Sequence, residues 1–157
     1  MGTQNAQKET KNTAKHALSE HLRLVSSGQI DEWVKLFAPD GVLEFPYAPA
    51  GVPNVVQGHE ALLAHMSSFP ATFDIEFVDI LFHETVEPTL AIAEFRTAGR
   101  AIPTQKAYEQ TCISVLYTDD EGRITRYLDY WNPLVALEAL TPDGHEGEQS
   151  VVRNFKN

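Results

Sequence analysis

The chain has 157 residues, 43% of them hydrophobic and 10% aromatic, which suffices for one well-buried core and is too short for two ordinary domains. Twelve Lys and Arg against twenty-two Asp and Glu give a formal charge of -10, and no basic cluster gathers the cations, so nucleic acid is excluded as a natural partner. No apolar stretch reaches membrane-spanning length, and neither HExxH nor any paired Cys/His spacing points to a metal, so a soluble domain with no metal, no cofactor and no membrane contact is expected.

Residues 1–10 are polar and read as a flexible N-terminus; they hold no apolar run able to serve as a signal-peptide core, which places the protein in the cytoplasm. Ala14, Ala17, Leu18, His21, Leu22 and Val25 then recur at helical spacing up to Gly28, a natural stop. A second helix carries the stripe Ile30, Trp33, Val34, Phe37 and Ala38 and is closed by Pro39 and Asp40-Gly41. A short strand is predicted at 42–45, a proline-rich loop after it, and a third helix over 58–66 that ends near Pro70.

From there aromatic and β-branched residues predict four strands, at 73–82, 90–102, 108–117 and 124–131, joined by short turns into an antiparallel meander. Cys112 lies within the third of these and reads as a buried small hydrophobe before a nucleophile. Asn132-Pro133 stops the last strand, a turn or two of helix follows at 134–140, and 141–157 is a tail. The whole is an α+β domain over 11–140: three N-terminal helices packed on a curved, mostly antiparallel sheet. The other sheet face also carries apolar residues, which predicts a homodimer.

This order of elements resembles the NTF2-like superfamily, and local wording agrees. The stretch 28–41, GQIDEWVKLFAPDG, is similar to the join between helix two and the first strand in SnoaL-like and ketosteroid-isomerase-like domains. Val56-Gln57-Gly58-His59-Glu60-Ala61-Leu62 resembles the family's opening of helix three, and 122–129, GRITRYLD, the final strand of SnoaL-like polyketide cyclases. Asp129-Tyr130-Trp131-Asn132-Pro133 is similar to the ending of the phenazine biosynthesis A/B proteins. The resemblance implies a cone that encloses one small molecule, although folds of this type host many chemistries.

Along the last strand Tyr127, Asp129 and Trp131 share one face, which would line such a cavity. An Asp between two aromatics has its charged form disfavoured by desolvation and can act as acid or base near neutrality. The resemblance places an acidic acid/base residue at this position; the alternative is a strand-end Asp bonded to loop amides. His65 on helix three matches a pocket histidine of the phenazine A/B proteins, and its alternative is a half-exposed helical His. Their pocket serine four residues on is Phe69 here. The oxyanion-hole tyrosine of ketosteroid isomerase corresponds to His21, while that enzyme's Asp before a proline matches Phe45 before Pro46, so its mechanism does not carry over.

Trp33, Phe37, Phe45, Tyr47, Phe69, Phe95, Tyr108 and Leu116 are further wall candidates, with core packing the commoner role for each. Tyr108 and Gln110 could hydrogen-bond a ligand, and Arg96 and Arg100 could meet an anionic group unless they are solvated strand-edge residues. Two readings follow. One is a cofactor-independent acid/base enzyme of the isomerase, cyclase or dehydratase type, acting on a small carbonyl-containing or aromatic metabolite, with Asp129 and His65 as its catalytic residues. The other is a non-catalytic small-molecule-binding or association module on the same scaffold.

Overall fold

Thr13 opens helix α1 (Ala14–Ser26) by accepting a hydrogen bond from the His16 amide. The computed structural model describes residues 13–144; the expected flexible N-terminus and nearly all of the expected tail lie outside the described residues. Helix α1 buries Ala17, Leu18, His21, Leu22 and Val25, and ends at Gly28, whose φ of 74° glycine adopts without steric cost.

Helix α2 (Ile30–Val34) is shorter than its apolar stripe suggests. Pro39 biases Ala38 towards extended backbone, and the Leu36 carbonyl accepts from the Ile124 amide at 2.8 Å. Phe37 and Ala38 therefore enter strand β1 (Phe37–Glu44). Strand β2 (Val55–Gln57) was not foreseen, because three residues behind a proline-rich loop carry no periodicity to read; it pairs antiparallel with β1, Leu43 opposite Val56.

Helix α3 (His59–Met66) is pinned to β1 by the His59 ring, whose Nε2 lies 2.7 Å from the Phe37 carbonyl oxygen. Pro70 does not simply stop this helix. It sits in the first turn of a further short helix, α4 (Phe69–Thr72), where a missing N–H costs nothing. Four helices, rather than three, thus precede the long strands among the described residues.

Strands β3 (Phe73–His83), β4 (Leu90–Ala101), β5 (Thr111–Thr118) and β6 (Ile124–Tyr130) pair antiparallel in turn. Strand β6 then closes on β1 in parallel, giving a mixed sheet in the order β2-β1-β6-β5-β4-β3. Register shifts in β1 and β3 mark bulges, the device that bends a sheet into a curve. Along β4 and β5 the residues Ala91, Ala93, Phe95, Thr97, Cys112, Ser114 and Leu116 are buried on the inner face. Helix α1 packs on β3, β4 and β5, and α3 on β1 and β2.

Residues 108–110, expected in the third long strand, form an irregular approach to β5, tied to β4 by the Tyr108 amide donating to the Gly99 carbonyl at 2.9 Å. Past β6, Asn132 caps helix α5 (Pro133–Leu140) by accepting from the Leu134 amide at 3.0 Å.

Candidate functional site

The inner sheet face, α1, α3, α4 and α5 enclose a cavity of about 500 Å3, within the range of small-molecule sites. Its wall is largely aromatic, with Phe45, Phe69, Phe73, Phe77, Phe95 and Trp131. Among the described residues no Lys or Arg lines it.

Strand pleating brings Tyr127, Asp129 and Trp131 to this cavity together. Asp129 keeps some accessible surface yet lies deep among protein atoms, as befits a group that faces a hollow rather than bulk water. Its carboxyl group has no hydrogen-bond partner among the described residues. Burial alone raises its pKa to about 7. It sits close enough to Tyr108, Cys112 and Tyr127 for its negative charge to push all three towards their neutral forms, in the direction burial already drives them.

Beside it runs a chain of hydrogen bonds whose direction is dictated by its first member. The Trp33 indole N–H can only donate, and it donates to His21 Nδ1 at 2.8 Å. Burial drives the His21 pKa down to about 3, so the ring is neutral and its proton resides on Nε2. That proton is donated to Tyr127 Oη at 3.2 Å, and Tyr127 in turn donates to Ser114 Oγ at 2.5 Å. Ser114 is the cross-strand neighbour of Asp129.

A second network is built around Gln110. Its Oε1 accepts from the Asn132 amide at 2.9 Å, and its Nε2 donates to the Asn132 carbonyl at 2.8 Å and to Tyr108 Oη at 3.1 Å. Thr97 Oγ1 locks the same segment by accepting from the Gln110 amide at 2.7 Å and donating to the Tyr108 carbonyl at 2.9 Å.

The expected residues are distributed as follows. Asp129, His65, Tyr108, Tyr127, Trp131, Phe45, His21, Gln110 and Phe69 line the cavity. His65 stands against Phe45 at 5.1 Å between ring centroids, and partial burial lowers its pKa, which favours the neutral ring. Trp33, Phe37 and Leu116 are buried in the core instead of touching the hollow, and Trp33 acts on the site through His21. Tyr47 is 62% exposed and packs on Tyr130 away from the cavity, because the proline-rich loop turns it outwards. Arg96 and Arg100 pair with Asp79 and Asp74 at the surface and face no ligand space. Thr97, Cys112, Phe73 and Phe77 also line the cavity and were not expected there. The face shared with Phe95 signals Thr97, whereas nothing in the sequence places α5 over the hollow.

Comparison with known proteins agrees with this geometry. Residues 18–127 match the sequence model of the SnoaL-like domain. The uncharacterized PhzA/B-like protein PA3332 of Pseudomonas aeruginosa is 47% identical over 140 residues, covering 89% of this chain and 97% of that protein. The crystal structure of a phenazine biosynthesis-related protein from Pseudomonas aeruginosa superposes with a TM-score of 0.70 at 21% identity, over 92% of this chain and 95% of that one. Rv0760c of Mycobacterium tuberculosis, in complex with estradiol-17β-hemisuccinate, superposes with a TM-score of 0.67 at 20% identity, over 76% of this chain and 93% of that one.

Proposed function

Since the chain belongs to the SnoaL-like domain family of NTF2-like folds, we propose that it is an acid/base enzyme working with its own side chains, of the isomerase, cyclase or dehydratase type, on a small carbonyl-containing or aromatic metabolite. The observation that carries this reading is Asp129: an unpaired carboxyl group in an apolar cavity, with a pKa raised to about 7. Near neutrality such a group exists in both protonation states and can take a proton or return one.

In this reading ionised Asp129 removes the proton from the carbon next to a carbonyl. The C–H electron pair moves into the carbonyl, whose oxygen becomes the enolate oxygen and is steadied by the Tyr108 hydroxyl. The proton on Asp129 then goes to a second carbon in an isomerisation, or to the new alkoxide when the enolate carbon closes a ring on another carbonyl. Neutral His65 faces the same space and is the proposed second group for orienting the substrate. A flat ligand suits the aromatic wall, and Rv0760c holds a steroid ester in the same fold.

Asp129→Asn tests the assignment. It should lower turnover by about 10²–10⁴-fold with ligand affinity nearly kept, while wild-type kcat/KM rises with pH through the Asp129 pKa. Wild-type turnover in the variant would remove the catalytic role. Ligands that bind tightly yet are recovered unchanged would favour the binding-module alternative. The same reading has the protein working in the cytoplasm, which a single buried, unpaired Cys112 suits, and as a homodimer through the outer sheet face, where Ile113 and Tyr117 are exposed.

A further inference from the structure

Gln110 is 1% exposed, and both of its amide N–H groups and its carbonyl oxygen are engaged within the protein. The Asn132 backbone presents a donor and an acceptor side by side, so the Gln110 amide fits only with Oε1 on the N–H and Nε2 on the carbonyl. Its second N–H then points at Tyr108 Oη, which must accept. Tyr108 has one proton of its own, and among the described residues no group accepts it. The phenol lines the cavity, so the cavity is where that proton is directed.

We propose that Gln110 is a positioning residue that sets the hydrogen-bond polarity of the site: by occupying the acceptor side of Tyr108 it makes the phenol an obligate donor and selects ligands that present an acceptor there. This deepens the reading of the cavity as a small-molecule site. It narrows the substrate class to compounds with a carbonyl or ether oxygen at the Tyr108 wall, and disfavours those that offer only an N–H. The lack of a cation in the wall works in the same direction, since an anionic acceptor would meet no counter-charge whereas a neutral carbonyl needs none.

Three bicyclic probes of similar shape separate these effects: indanone, which only accepts; indole, which donates through N–H; and indane, which does neither. Affinities are measured calorimetrically below the Asp129 pKa, where that carboxyl carries no charge to attract the indole N–H. Wild type should bind indanone roughly tenfold more tightly than indane, the worth of one hydrogen bond. Tyr108→Phe should bring the two together. Gln110→Leu, which frees the Tyr108 oxygen to accept, should collapse the indanone-to-indole ratio by roughly tenfold, and Gln110→Glu, which offers Tyr108 an acceptor, should bring it below one.

A merely structural role for Gln110 would weaken all three probes alike. An unchanged indanone-to-indole ratio in the folded Gln110 variants overturns the proposal. Should neither variant fold, the carbonyl stretch of labelled indanone decides: a shift to lower frequency in wild type that is lost in Tyr108→Phe supports the donor assignment, and its absence in wild type overturns it. Failure of every probe to bind wild type would overturn the small-molecule reading and this proposal with it. Normal turnover in Asp129→Asn would overturn the catalytic reading and leave the probe ratios untouched.

Discussion

Asp129 and His21 pull stability in opposite directions as pH changes. The Asp129 carboxyl, raised from 3.8 to about 7 by burial, keeps its proton in the fold after the unfolded chain has lost its own. Its contribution to stability is whole below the unfolded value and is lost as pH rises through the folded one. His21, held down from 6.5 to about 3, stays neutral where the unfolded chain is charged, so its contribution is present above 6.5 and is lost as pH falls. The two slopes overlap and offset each other over mildly acidic pH. Of these two slopes, Asp129→Asn keeps that of His21. The variant should melt close to wild type near the unfolded Asp value, gain on it by a few kcal/mol at most as pH rises to about 7, and keep that lead above. Thermal melts across this range check it, and a difference independent of pH would contradict the buried, partnerless state of Asp129. The period of two along β6 was enough to put Asp129 between Tyr127 and Trp131 on one face. It could not show that Trp33, twelve residues from His21, selects the tautomer of that ring, because the contact joins two helices through side chains alone.

Elements meet closely where β1 runs parallel to β6. A Cβ on Gly41 would stand 2.6 Å from the Ile124 carbonyl oxygen and 3.0 Å from that of Ala38, both backbone atoms that cannot swing aside. Gly41→Ala should therefore cost about 2–3 kcal/mol and lower the Tm by several degrees, read in chemical and thermal unfolding. Unaltered stability would mean that the two strands part without cost. Helix α5 illustrates the other kind of dependence, since its Asn132 cap is also the residue that clamps Gln110. The strands and main helices could be read from apolar spacing. Pro39 and Pro70 were read as stops, yet one sends the chain into a strand and the other opens a helix, because a proline excludes conformations without choosing the successor.

At the scale of the molecule, the outer sheet face carries Ile113, Tyr117, Val115, Leu128 and Tyr130, the first two 37% and 36% exposed. A homodimer across this face would cover them, and Ile113→Glu should then give a monomer in light scattering while the cavity, on the opposite side of the sheet, keeps its ligand affinity within about twofold. A monomeric wild type would remove the dimer from the account. Periodicity along the chain by itself determined the α+β class, the inward face of β6 and the acidic group on it, because side-chain direction in a strand follows from the backbone alone. Only the tertiary structure decided that Tyr47 faces away, that Trp33 serves His21, and that Gln110 is spoken for by Asn132. Those outcomes depend on groups far apart in the chain competing for the same few donors and acceptors, and such a competition is settled only when the segments have met in space.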